Sequence, residues 1–275
     1  MNSSKRGNLL IHVILIIVAL TTVFPFYWMI TTAVKPSDAI FQVPPQMFPK
    51  HFTWDYFPKV FELMPMALAY LNSMKIAVLV TVGTLLTSSI AAYAFAKIQF
   101  KGSSMLFGVF LATLMIPGQV TLIPLYILFS KIDWIDTHLP LMVPAIMINA
   151  YGVFMIKQFM GSIPNGYIES AKIDGASHPR IYWQIMMPLC KPAIITLGLF
   201  TFIGNWNNFF GPLIFLNSEK KFTVPLIISS FKGVYTVDWG LLMAASTVAI
   251  VPIIILYLLT QKYYVQGIAM SGMKG

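Results

Sequence analysis

Few residues in this 275-residue chain could carry acid–base, nucleophilic or metal chemistry: nine Asp and Glu, four His and one Cys. All nine carboxylates fall between long apolar runs rather than within them. An ion-coupled carrier keeps ionisable groups inside the membrane, where they are costly and therefore functional. His12 and Lys75 enter apolar runs, each near enough to its end to reach the interface. His12, His51, His138 and His178 show no metal-ligand spacing, and no His-Glu-x-x-His occurs. Cys190 stands alone, which excludes an internal disulfide framework and a multi-cysteine metal site. No Gly-x-x-x-x-Gly-Lys-Ser/Thr phosphate cradle is present, the dipeptide Gly-Lys being absent altogether. The serines lack an intramembrane Asp/His pair, so hydrolase chemistry has no support. What remains is recognition.

Two places could do it. The first is the apolar run TLGLFTFIGNWNNFFGPLIFL, with Asn205, Trp206, Asn207 and Asn208 near its middle. Amides in hydrocarbon are expensive unless hydrogen-bonded, so they must face protein or water. Asn205 and Asn208 share one helical face beside the Trp206 stripe. Amides at the edge and an aromatic plane suit a polyhydroxylated ligand, although packing between helices is an equal reading. Gln119, Asn149 and Tyr151 are weaker candidates of the same kind, for which packing is the leading reading.

The second is the polar stretch IPNGYIESAKIDGASHPRIYWQIMMP, residues 163–188. It reads as two short helices around a turn. Ser162 or Asn165 is expected to cap the first, with Pro164 in its opening turn and Glu169 early against the dipole. Gly175 falls where a left-handed residue closes a helix. Ser177 is expected to cap the second helix, which Pro188 ends. Ala171, Gly175 and Ala176 leave room for another surface, and Ile181, Trp183, Ile185 and Met186 supply more apolar area than a solvated loop needs. A docking element and an amphipathic segment lying on lipid are both open on these grounds.

The elements that must hold these residues are membrane spans. The chain is 57% hydrophobic and 10% charged, against ~25% charged in soluble domains. Six runs meet the ~20-residue length of a spanning helix: residues 9–34, 72–96, 104–129, 139–160, 191–216 and 240–263. The first is too long for a secretory leader and is expected to stay uncleaved. Pro117 and Pro124 predict kinks in the third span, and Gly204 and Gly211-Pro212 a bend in the fifth. A short helix is expected near 55–64 in the proline-rich loop before span two. The net charge of +9 sits at span ends, which fits topology signals near anionic lipid and not nucleic acid. With both termini inside, ten basic residues but only two acids, Glu169 and Asp174, lie on the cytoplasmic side.

Glu169-Ser170-Ala171, three residues, Gly175, nine residues, Ile185, two residues and Pro188 together resemble the Glu-Ala-Ala loop of ABC-importer permeases, Ser170 replacing the middle alanine. PFYWMITTAVKPSDAIF (25–41), IPGQVTLIPLYILF (116–129), WNNFFGPL (206–213) and VQGIAMSGMKG (265–275) resemble the smaller permease of maltose/maltodextrin-type carbohydrate importers. The resemblance implies an all-α, six-span type I importer permease in a bacterial plasma membrane, both termini cytoplasmic. It implies a first span and extracytoplasmic loop over 1–71, a transmembrane domain over 72–264 and a cytoplasmic tail over 265–275. Partners implied are a second, larger permease, two ATPase subunits that bind ATP and Mg, and an extracytoplasmic sugar-binding protein; this chain itself would hold no cofactor or metal and would not be an enzyme. By the same resemblance Glu169, Ser170, Ala171, Asp174, Gly175, Ile185 and Pro188 form the loop that couples to the ATPase. Residues 220–236 reach towards the binding protein, and Gly272, Lys274 and Gly275 touch the ATPase dimer. The cargo is expected to be a sugar, with a glycerol-phosphate ester or a non-sugar as the alternative and an autonomous secondary carrier as the distant one.

Overall fold

The computed structural model describes residues 3–147, 149–231 and 237–272, with side chains for 11–147, 149–231 and 237–262. Its helices, in chain order, are α1 Ser3–Ala33, α2 Tyr56–Leu63, α3 Met66–Lys97, α4 Ser103–Ala112, α5 Gly118–Lys131, α6 Leu139–Met147, α7 Ala150–Gly161, α8 Gly166–Ile173, α9 His178–Leu189, α10 Lys191–Trp206, α11 Phe210–Phe215, α12 Val224–Ser230 and α13 Trp239–Gly272. Ile11–Ala33, Met66–Lys97, Leu139–Gly161 and Trp239–Lys262 are each long and apolar enough to cross a bilayer, and counting each of two bent helix pairs as one span brings the number to as many as six.

The breaks have local causes. The third span bends by 96° between Met115 and Gly118. Ile116, the residue before Pro117, is extended at φ −84°, ψ 115°, because a proline ring drives its predecessor out of the helical region. Pro124 lies inside α5 without breaking it. In the fifth span the helix stops at Trp206 and resumes at Phe210, so the interruption falls on the asparagines and not on Gly204. Span four, which the apolar run presents as continuous, is interrupted at Asn149, whose φ of −127° and ψ of 86° are not helical.

The chain forms two compact units, residues 1–66 with 227–251 and residues 67–226 with 252–275. In the first, the proline-rich loop is tied to the end of α1. The Tyr27 hydroxyl donates to the Met47 carbonyl at 2.7 Å, and the Thr53 N–H to that of Val34 at 2.9 Å. Lys35, only 1% exposed, donates to the Gln46 carbonyl at 2.7 Å and lies 4.2 Å from the Trp28 ring centre. Burial lowers its pKa. The expected short helix is α2, whose Tyr56 ring sits where Gly240 has no side chain.

The second unit is organised by α3, a strut of ~48 Å at 1.5 Å per residue. A Cβ at Gly83 would lie 2.7 Å from Ile146, and one at Gly152 would lie 2.7 Å from the Ser88 hydroxyl. Glycines here let helices approach closely, as membrane helix packing requires. Gly83→Ala is therefore expected to lower the melting temperature of the purified protein in detergent by several degrees, in line with overpacking of ~1–3 kcal/mol. Gly108→Ala is the comparison, since a Cβ there meets nothing within 4 Å. Equal melting of the two variants would refute the close crossing.

Candidate functional site

The cassette is built as two helices, with its ends made differently from the local expectation. Neither Ser162 nor Asn165 caps α8 through its side chain. Ser162 ends α7, its hydroxyl donating to the Phe159 carbonyl. Asn165 occupies the cap position, but its Oδ1 accepts instead from the Lys97 ammonium at 2.8 Å. Pro164 accordingly precedes the helix. The far end of α8 follows the sequence closely. Gly175 has φ +77°; its N–H bonds the Lys172 carbonyl at 3.0 Å, and the Ala176 N–H bonds that of Ala171 at 2.9 Å. That pair of bonds is the Schellman closure, which needs a left-handed residue at this place.

α9 begins after Ser177 with Pro179 in its first turn. Pro188 does not end it; the helix runs on to Leu189 and then bends by 78° into α10. Residues Tyr182–Met186 form a widened π turn just before the proline. A proline clashes with the carbonyl four residues back, here that of Gln184, and widening the preceding turn relieves it.

Burial divides the motif into two faces. Ala171 is turned into the chain's own core with Ile168, Ile181, Tyr182 and Met186, and Ile185 packs against the same cluster. Ala171 therefore does not leave room for an outside surface. Glu169, Ser170, Asp174, Gly175 and Pro188 remain exposed. So do Tyr167, Trp183 and, at 86%, Ile173.

A feature that the sequence did not announce fixes the cassette in place. Ser89, Tyr93 and Lys97 recur every fourth residue on one face of α3, and each bonds the cassette. The Ser89 and Tyr182 hydroxyls are 2.7 Å apart, the Tyr93 hydroxyl is 3.0 Å from His178 Nδ1, and Lys97 donates to the Ile163 carbonyl at 2.7 Å as well as to Asn165. Beside them opens a cleft of about 660 Å³ lined by Lys97, Gln99, Ser103, Asn165, Glu169, Lys172 and His178.

The amides of the spans serve helix ends first. Asn149 caps α7, its Oδ1 accepting the Gly152 N–H at 2.7 Å. The carbonyls freed by that interruption are met from α3: Thr84 donates to Ala145 at 3.0 Å and Thr87 to Ile146 at 2.7 Å. Asn208 accepts the Gly211 N–H at 3.1 Å, and Asn205 bonds back to the Thr201 carbonyl. Trp206 is 2% exposed, stacked on Phe202 and edge-on to Tyr70. It offers no face to a ligand, which corrects the pairing of amides with an aromatic plane. Gln119 and Tyr151 are exposed. Among the described residues no group of three His, Cys, Asp or Glu could hold a metal ion. Lys274 and Gly275 lie outside the described residues, as do 232–236 of the expected binding-protein loop and the surroundings of Gly272.

An all-α polytopic membrane protein with broken spans and one polar two-helix cassette is thus defined. The chain belongs to the family of binding-protein-dependent transport system inner membrane components, whose model matches residues 83–270. It is a transport permease, not a catalytic subunit. It is 31% identical to the arabinooligosaccharides transport system permease protein AraQ of Halalkalibacterium halodurans, over 94% of this chain and 93% of the relative. It is 29% identical to the sn-glycerol-3-phosphate transport system permease protein UgpE of Pectobacterium atrosepticum, over 98% and 99%. Its fold matches a chain of a bacterial ABC transporter that imports the acidic polysaccharide alginate, with a TM-score of 0.85 and 22% identity over 96% of this chain and 98% of the other. The fold is that of a type I ABC-importer permease.

Proposed function

We propose that the chain forms half of the pathway of an ATP-driven sugar importer and is driven through residues 163–188 by a separate ATPase, which binds the ATP and Mg. The observation that carries this is the outer face of the cassette. Ile173, Tyr167 and Trp183 project away from a core that holds the segment rigidly, and exposed apolar side chains rimmed by polar ones mark a protein contact. A lipid-surface helix is rich in Lys and Arg on its polar face; here Glu169 and Asp174 are balanced by Lys172 and Arg180, all four exposed. The segment therefore has no basic excess to draw it to anionic lipid. The test is a photo-reactive group placed at Ile173 in native membranes. The expected product contains the transport ATPase, and labelling of lipid alone would sink the reading.

The remaining assignments follow from the same reading. Both termini are cytoplasmic, Gly272, Lys274 and Gly275 contact the ATPase dimer, and the loop 220–236 faces the binding protein. A second, larger permease and two ATPase subunits complete the machine. Gln119, Asn149, Tyr151, Asn205 and Asn208 contribute to the pathway wall, Asn149 and Asn208 through amide nitrogens that their helix-capping oxygens leave over. A glycerol-phosphate cargo is favoured by the resemblance to the UgpE protein. An anionic cargo would favour cations along the pathway, however, and the middles of spans three to five contain none. Neutral sugar is the better fit. Reconstituted with its partners, the system is expected to accumulate radiolabelled arabinose oligosaccharides in preference to sn-glycerol 3-phosphate; the opposite preference would reverse the cargo assignment.

A further inference from the structure

At the end of α3 remote from the cassette, a second polar construction surrounds Asp136. This residue lies in the connection between α5 and α6 with φ +57°, a left-handed conformation that aspartate tolerates better than most residues. Its N–H donates to the Phe215 carbonyl at 2.8 Å. Its Oδ1 accepts the N–H groups of Asn217 and Ser218, both at 2.9 Å. Its Oδ2 accepts the Ser218 hydroxyl and, at 3.0 Å, the Lys221 ammonium, which also donates to the Asp136 carbonyl. The Ser218 hydroxyl, then the two backbone amides and Lys221, hold the carboxyl well below the usual carboxylate range.

Other elements grip the same segment. Asn72, buried near the start of α3, donates from Nδ2 to the carbonyls of Lys220 and Phe222, each at 3.0 Å. The Ser73 hydroxyl accepts the Val224 N–H at 2.9 Å, and His138 Nε2 lies 2.8 Å from the Lys221 carbonyl. Residues 217–224 are thus fixed from three sides while Asn217, Ser218, Glu219 and Lys220 stay exposed. A part-exposed ion pair stabilises a fold by only ~0–1 kcal/mol, so the arrangement does more for shape than for stability. A preformed exposed segment binds a partner without the cost of ordering it.

We propose that Asp136 is a positioning residue that presets segment 217–224 as the seat for the extracytoplasmic binding protein. This rests on the orientation given under Proposed function, with the cassette inside and this segment outside. The probe is the purified binding protein of the same transport system, titrated against the complete complex in nanodiscs. Binding is read from a fluorophore on Glu219→Cys, the native Cys190 being buried, and ATP hydrolysis is followed in parallel.

Asp136→Asn keeps the left-handed backbone but turns an amide against Lys221. It is expected to raise the half-saturating concentration of binding protein about tenfold, leaving basal hydrolysis and the maximal stimulated rate unchanged. Lys221→Met is expected to follow it, and Lys221→Arg to retain wild-type binding. Unaltered binding by Asp136→Asn overturns the proposal, as does a parallel loss of assembly and basal hydrolysis in both Asp136→Asn and Lys221→Met, which would make the clasp merely structural. If hydrolysis by the parent complex is stimulated but the fluorophore never responds, the seat lies elsewhere and only this proposal falls. If the parent complex hydrolyses no ATP, the importer reading itself falls and takes the proposal with it.

Discussion

Gly175→Ala is expected to cut uptake by the reconstituted importer by roughly 5–30-fold, while Gly102→Ala leaves it near the parent rate. The two glycines are matched in their own chain: φ is +77° at Gly175 and +84° at Gly102, and a Cβ at either would meet nothing within 4 Å. Forcing alanine into a left-handed conformation costs ~1–2 kcal/mol, or that 5–30-fold in an equilibrium. Melting temperature should therefore fall alike in both variants. Only Gly175 closes the helix that is proposed to seat in the ATPase, so only there should strain appear in transport. Asparagine separates turn from contact, because it tolerates the left-handed region. If Gly175→Asn restores uptake, the turn is what matters; if it fails as alanine does, the partner approaches too closely for any side chain. Gly175→Asp adds charge at the same surface and is expected to bring uptake to background with the ATPase dissociated. Equal transport losses at Gly102 and Gly175 would remove the case for docking.

Gly175 was readable in advance because its cause is local, a left-handed helix end following Asp174. The same holds for Pro117, which acts on the residue next to it, and for the charge-poor runs that became spans. What could not be read depends on residues far apart in sequence. Asn165 is a good cap by type, yet Lys97, 68 residues away, takes its side-chain oxygen. The interruption of span four leaves carbonyls that Thr84 and Thr87 satisfy from 61 and 59 residues away. Its nearest local signals were Pro144 and Asn149 in a mostly apolar run. Trp206 looked like a ligand platform because composition does not say which face of a broken helix turns inwards. Asp136 read as one more loop acid, its four acceptor contacts lying more than eighty residues downstream.

Lys97→Met is expected to uncouple the importer: ATP hydrolysis stimulated by binding protein persists, while uptake per ATP falls about tenfold. The ammonium of Lys97 holds the entrance of the cassette through two acceptors, the Ile163 carbonyl and Asn165, and charged hydrogen bonds of this kind contribute ~1.5–3 kcal/mol each at most. Methionine keeps the aliphatic stem and loses both bonds. The cassette can still receive the ATPase, because its outer face is untouched, but α3 loses its charged tie to the cassette entrance and follows its motion less closely. Two states coupled through a linkage lose coupling free energy when the linkage is loosened, even where each site still binds. The middle rung of the same stripe, Tyr93→Phe, removes a single bond, to His178, and should show a smaller effect in the same direction. The Ser89 rung adds a directional check. Its hydroxyl already donates to the Leu85 carbonyl, so the bond to Tyr182 is donated by the tyrosine. Ser89→Ala strands a buried donor and should destabilise by ~1–3 kcal/mol, whereas Tyr182→Phe leaves Ser89 satisfied and should be milder. Melting curves in detergent read that order, and simultaneous flux and hydrolysis assays read the coupling. Should Lys97→Met keep the parent ratio of sugar moved to ATP consumed, α3 is not the element that carries the cassette's motion across the membrane.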